Sequence, residues 1–124
     1  MKLLLDTHVV LWWRLDNRRL GTAARRAIAT ADLVLVSAAS GWEVAIKQAL
    51  GKLTLADPFG ALVEDSDFDE LPVTLRHAEQ LRALPAHHND PFDRMLVAQA
   101  QAEGVTIVTH DRRFRPYDVP VLWV

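Results

Sequence analysis

The sequence predicts a three-layer α/β/α fold around a central, mostly parallel sheet of four to five strands, and three observations support this. Short apolar runs recur along the chain, as in Leu3 to Leu5, Asp32 to Ser37 and Val105 to Thr109. They alternate with amphipathic stretches of helical length, the pattern of strand–helix–strand crossovers that place helices on both faces of a parallel sheet. The chain has 124 residues, of which 50% are apolar. That supplies one packed core, so residues 1–124 are expected to form a single domain.

Taken in order, Leu3 to Leu5 reads as a buried strand ended by Asp6, and a helix then runs through His8 to Leu15. Thr22 is placed to cap a second, alanine-rich helix to Ala31, and Asp32 to Ser37 is the second strand. Ser40 is a candidate cap for a helix through Trp42, Val44, Ile46 and Leu50, which Gly51 ends. Lys52 to Leu55 is ambiguous, whereas Asp57-Pro58 reads as a cap and first-turn proline for a helix near residues 58–65. The acids Glu64, Asp65, Asp67, Asp69 and Glu70 suggest a solvated connection, and Leu71 to Thr74 a third strand. Thr74 can cap a helix from Leu75 to Leu84, and Pro85 to Asn89 is a polar loop. Asp90-Pro91 opens a helix to Glu103, stopped by Gly104; Val105 to Thr109 and Val119 to Trp123 are the last strands.

Composition narrows the chemistry. No cysteine is present, which excludes disulfides and thiolate metal sites and leaves oxygen and imidazole ligands. The formal charge is −2, from 14 basic and 16 acidic residues, so attraction to a polyanion would need a local patch. Asp6 interrupts the initial apolar run, and no stretch approaches the roughly 20 apolar residues needed to span a bilayer. The expectation is a soluble, unprocessed, cytoplasmic protein with no membrane partner.

Asp6, Glu43, Asp93 and Asp111 each lie just beyond a strand-like run or in the first turn of the helix behind one. In open α/β sheets that is where ligands bind, in the crevice outside the carboxyl ends of the strands. Each residue also has a plain structural role open to it. Asp6 can cap the following helix, Ser40 to Glu43 fits a capping box, and Asp111 can be a turn residue before Arg112-Arg113. Asp90 is the better cap for its helix, and Asp93 the better ligand, because two acids in one first turn exceed what capping requires. At an effective dielectric near 20, two carboxylates about 5 Å apart repel by roughly 3 kcal/mol, so a cluster calls for a cation. Mg2+ suits it, taking one or two carboxylates directly and keeping several waters; Mn2+ can substitute. Two such ions about 3.5–4 Å apart would suit hydrolysis of a phosphodiester.

Other residues carry weaker signals. His87, His88 and His110 have no recognised zinc spacing, and a polar loop is their commoner home; His8 lies near Asp6 with an undetermined role. Arg94, Arg112, Arg113 and Arg115 flank the acids and could hold a phosphate. Trp12 and Trp13 sit about 100° apart on a helix, so one is expected to face a partner.

The segments LLLDTHVVLWW, SAASGWEVAIKQALGKL, LPAHHNDPFDRMLVAQA and VTIVTHDRRF make the chain resemble the PIN-domain ribonucleases, and among them the VapC-type toxins of type II toxin-antitoxin pairs. The resemblance implies a parallel sheet whose acidic pocket binds Mg2+ or Mn2+ and hydrolyses RNA. Asp6, Glu43 and Asp93 match the family's main acidic positions, and Asp111 a fourth, more variable one. Thr7 and Thr109 match small polar residues beside the pocket. It further implies self-pairing into a homodimer and silencing by a cognate antitoxin protein. Two rivals are weighed against this: a catalytically silent regulator binding nucleic acid or protein, and a phosphotransferase with Asp6 as nucleophile. The latter expects a second aspartate where this chain has His8.

Overall fold

A computed structural model describes residues 1–124. In chain order it runs β1 (Lys2–Leu5), α1 (Thr7–Arg14), α2 (Thr22–Thr30), β2 (Leu33–Ser37), α3 (Ala38–Ala49) and α4 (Phe59–Asp65). It continues through β3 (Asp69–Leu71), α5 (Leu75–Arg82), α6 (Pro91–Glu103), β4 (Thr106–Thr109), a single 3-10 turn at Arg112–Phe114 and β5 (Val121–Trp123). The five strands form one sheet in the order β3-β2-β1-β4-β5, and every pairing is parallel.

β1 is the centre, with Leu4 opposite Leu35 of β2 on one side and Ile107 of β4 on the other. A strand covered on both faces reads as a continuous apolar run, which is why Leu3, Leu4 and Leu5 are all fully buried. Alternation splits them. Leu3 and Leu5 join Val9, Val10 and Trp12 of α1 and Ile28 of α2, whereas Leu4 joins Leu96, Val97 and Ala100 of α6 with Phe114 and Tyr117. These two cores are the interfaces of a three-layer sandwich. The chain leaves β1 for β2 and β3 on one side and returns to β4 and β5 on the other, so the strand order switches direction at β1. The crevice at the carboxyl ends of β1, β2 and β4 is therefore the ligand position for such a sheet.

Several predicted boundaries move. Gly21, not Thr22, occupies the cap position of α2, and Pro58, not Asp57, that of α4. α3 starts at Ala38, and Ser37 is its cap, accepting from the Ala39 amide at 3.0 Å; Ser40 is thus inside the helix. β3 covers Asp69–Leu71 rather than Leu71 to Thr74. It is an edge strand paired only with β2, so Asp69 and Glu70 stay in solvent and only Leu71 is buried; polar residues hid it. β5 begins at Val121, after Pro120. The Asp90 and Gly104 assignments hold: Asp90 Oδ1 accepts from the amides of Phe92 at 2.8 Å and Asp93 at 3.2 Å, and Gly104 ends α6 at φ +67°.

Candidate metal centre

Asp6 leaves β1 and occupies the cap position of α1, yet its side chain makes no capping hydrogen bond. Instead its Oδ2 accepts from Thr109 Oγ1 at 2.7 Å, across 103 residues of sequence. The same threonine oxygen accepts from the Asp111 amide at 3.0 Å. One hydroxyl at the end of β4 thus ties the ends of the two central strands together. The capping role open to Asp6 in sequence is not the one it performs.

Glu43 departs from its sequence reading too. With Ser37 as the cap, Glu43 lies beyond the first turn of α3, buried, and it reaches across to α1. Thr7 Oγ1 lies 2.8 Å from both Glu43 Oε1 and Ser40 Oγ. The single threonine proton goes to the carboxylate, the stronger acceptor, and the Ser40 hydroxyl turns its own proton toward Thr7. Lys47 Nζ holds the other oxygen, Oε2, at 2.9 Å. Ser40 is therefore a link in this chain of bonds and not the cap that the Ser-x-x-Glu spacing suggested.

Asp93 stands in the first turn of α6, with the capping already done by Asp90. Its Oδ2 is 2.9 Å from Nε2 of His88, a buried histidine in the loop before α6. Asp111 Oδ2 lies 3.8 Å from the same nitrogen. Asp111 performs its turn role: Oδ1 accepts from the Arg113 amide at 3.0 Å, and the Arg113 guanidinium grips both carboxylate oxygens.

The acids sense one another's charge, while the atoms close enough to share one ion are those of His88, Asp93 and Asp111. The Asp93 carboxyl is pushed up to about 8, first by burial and then by the charges of Asp6, Asp90, Glu43 and Asp111. Burial likewise raises Asp6, opposed by the Thr109 hydrogen bond and the nearby His8. Asp111 is lowered by its Arg113 partner and stays ionised. Neither Asp6 nor Asp93 has a lysine or arginine ion pair, although Glu43 and Asp111 do. Buried carboxylates without a cationic side chain, sensing three further acids, present hard oxygen donors of the kind a divalent cation takes.

The remaining candidates divide. Arg94 is engaged within the chain, donating to the Pro85 carbonyl at 2.9 Å and the Tyr117 hydroxyl at 3.3 Å. Arg112 and Arg115 lie over the Trp123 ring, 5.7 and 5.9 Å from its centroid. His8, His87 and His110 are exposed. Trp12 is core, and Trp13 packs on Phe68 at 5.5 Å, so the exposed tryptophans are Trp42 and, less so, Trp123 instead. His88 is the residue that sequence reasoning undervalued. Its signal was slight: an imidazole two residues before a helix cap can accept that cap's amide.

Comparison with known proteins identifies the family. The PIN domain family profile matches residues 3–120. Ribonuclease VapC22 of Mycobacterium tuberculosis (strain ATCC 25618 / H37Rv) is 35% identical over 120 residues, covering 94% of this chain and 92% of its own. Among solved structures, VapBC2 from Rickettsia felis bound to a DNA fragment from their promoter matches with a TM-score of 0.75 at 13% identity, covering 98% of each chain. DNA-bound VapBC from Salmonella typhimurium matches with a TM-score of 0.71 at 21% identity, covering 98% of this chain and 97% of the other. The all-parallel sheet, the profile match along nearly its whole length and the identity to a VapC ribonuclease together place this chain in the PIN-domain family.

Proposed function

We propose that the protein is a divalent-metal-dependent endoribonuclease that hydrolyses RNA phosphodiester bonds, the toxin of a toxin-antitoxin pair, built as a single domain. The observation that carries this reading is the pair of buried acids, Asp6 and Asp93, that neither cap a helix nor meet a lysine or arginine. Asp6 and Asp93 would hold Mg2+ or Mn2+ directly, and Glu43 and Asp111 its waters or a second ion. The ion supplies Lewis-acid activation of the phosphodiester and of the attacking water. The chain fixes its own donors: Thr109 aims Asp6, Thr7 and Lys47 aim Glu43, and Arg113 holds Asp111. Such bonds set each carboxylate before substrate arrives, so no reorganisation is needed during reaction.

The relative named a ribonuclease supports the substrate class, and the VapBC complexes support an antitoxin partner. A silent regulator would have no use for buried, mutually repelling carboxylates. We place the activity in the cytoplasm; no helix is long and apolar enough to cross a membrane. A homodimer is supported by Trp42 and Ile46 of α3 and Leu50 at its C-cap, exposed large apolar residues spaced four apart.

The test is cleavage of single-stranded RNA by purified protein in Mg2+ or Mn2+. Asp6→Asn and Asp93→Asn should each lower the rate by about a hundredfold or more, which is roughly 2.7 kcal/mol of barrier. Full residual activity in either variant defeats the reading.

A further inference from the structure

Asp111 is followed by Arg112, Arg113 and Arg115, and the fold puts the three arginines to different uses. Arg113 is spent on the Asp111 carboxylate. Arg112 opens the 3-10 turn and Arg115 closes it, and residues three apart on such a turn stand on the same side. Both guanidiniums lie over one indole, that of Trp123, at 5.7 and 5.9 Å from its centroid. Neither forms an ion pair, whereas Arg14, Arg25, Arg76 and Arg113 each meet a carboxylate.

The turn that carries them is anchored. Phe114 is fully buried, Asp111 caps the turn, and the Arg115 amide donates to the Arg112 carbonyl at 3.1 Å. Two like charges held on one ring without a counter-ion repel each other, and an anion between them relieves this. All three side chains are exposed, Trp123 by 37%.

Strand register places this seat beside the acids. β4 and β5 run parallel with Thr109 opposite Trp123 and, two residues earlier, Ile107 opposite Val121 in one core. Trp123 therefore stands on the same face of the sheet as Thr109, whose hydroxyl bonds Asp6. Asp6, Thr109 and Trp123 form a row across the carboxyl ends of β1, β4 and β5. Trp123 is two strand spacings, roughly 10 Å, from Asp6.

We propose that Arg112 and Arg115, held over Trp123, bind a backbone phosphate of the RNA strand that flanks the phosphate being cut. The inference rests on the nuclease reading above and adds a substrate subsite to it. A single strand carries a phosphate at every nucleotide, so a strand lying along the row with one phosphate at the acids presents another to the arginines. The acids repel that strand, and a cationic fork outside their pocket offsets the repulsion without pairing with them. Cation–π contact orients the planar guanidiniums while their N–H groups stay free for phosphate oxygens.

The test is cleavage of a single-stranded RNA oligonucleotide in Mn2+. The double variant Arg112→Gln/Arg115→Gln should raise KM about tenfold and leave kcat within about twofold of wild type. Its slope of log kcat/KM against log salt should be shallower by about 0.7, the share of one phosphate of a single strand. Oligonucleotides with one phosphate replaced by an uncharged methylphosphonate locate the contact. At one position beside the cut, wild type should lose about tenfold in kcat/KM and the double variant less than about twofold, a difference that a merely structural role would not produce. A wild-type KM in the double variant, or equal losses in both proteins at every position, overturns the proposal. If that variant instead loses affinity for a polyglutamate peptide, the seat belongs to an acidic protein partner. A wild-type protein that leaves RNA uncut in both Mg2+ and Mn2+ removes the nuclease reading itself, and this subsite with it.

Discussion

Asp93 shows how burial and neighbouring acids load one residue with an electrostatic cost. Its carboxyl is raised from an ordinary 3.8 to about 8 in the fold. Below the ordinary value both folded and unfolded chains hold the proton, so stability is highest there. As pH climbs toward the folded value the unfolded chain loses its proton first, and stability falls. Metal-free protein should therefore show a urea midpoint that declines from about pH 4 to pH 8 and then levels. Asp93→Asn should flatten that decline, and a slope unchanged in the variant would assign it to another group. The bland roles that neighbouring residues suggested in sequence were decided by single bonds. Asp6 bonds Thr109 rather than its own helix, and Glu43 bonds Thr7 rather than the amide of Ser40.

Among the elements, legibility followed burial. Leu3 to Leu5, Leu33–Ser37 and Thr106–Thr109 were readable as strands because a sheet covered on both faces demands unbroken apolar runs. β3 was misplaced because an edge strand of three residues has one paired side and carries Asp69 and Glu70. Caps were legible where chemistry and position coincide, as at Thr74. Thr74 accepts from the His77 amide at 3.4 Å, and His77 Nδ1 accepts in return from the Thr74 amide at 3.0 Å, a capping box with histidine in place of glutamate. Thr74→Ala should cost about 1 kcal/mol in denaturant unfolding. RNA cleavage by that variant should match wild type, since α5 contributes no acid to the pocket.

For the whole molecule, metal and assembly are the measurable consequences. An ion that binds only the folded chain, at a hundredfold excess over its Kd, should add about 2.7 kcal/mol of stability. That is a rise of several degrees in Tm in Mg2+ or Mn2+, reversed by a chelator; an unchanged Tm would argue against a metal centre. The exposed face of Trp42, Ile46 and Leu50 gives the second test, with Trp42 64% exposed although it touches Phe92 edge-on at 5.1 Å. Ile46→Glu should reduce the mass in light scattering from that of two chains to one, and a protein already monomeric as wild type would remove the dimer.

The sequence by itself determined the layers, the parallel sheet and the order of most elements, because apolar periodicity and helix caps are local physics that need no partner to be read. It also supplied Asp6, Glu43, Asp93 and Asp111 as candidates, since each follows a recognisable strand or cap. Only the tertiary structure decided that Thr109 meets Asp6 and Thr7 meets Glu43, and that His88 Nε2 lies beside the Asp93 carboxylate. Those meetings depend on how strands distant in sequence lie beside one another, and no local pattern encodes the distance between two side chains that pairing alone brings together.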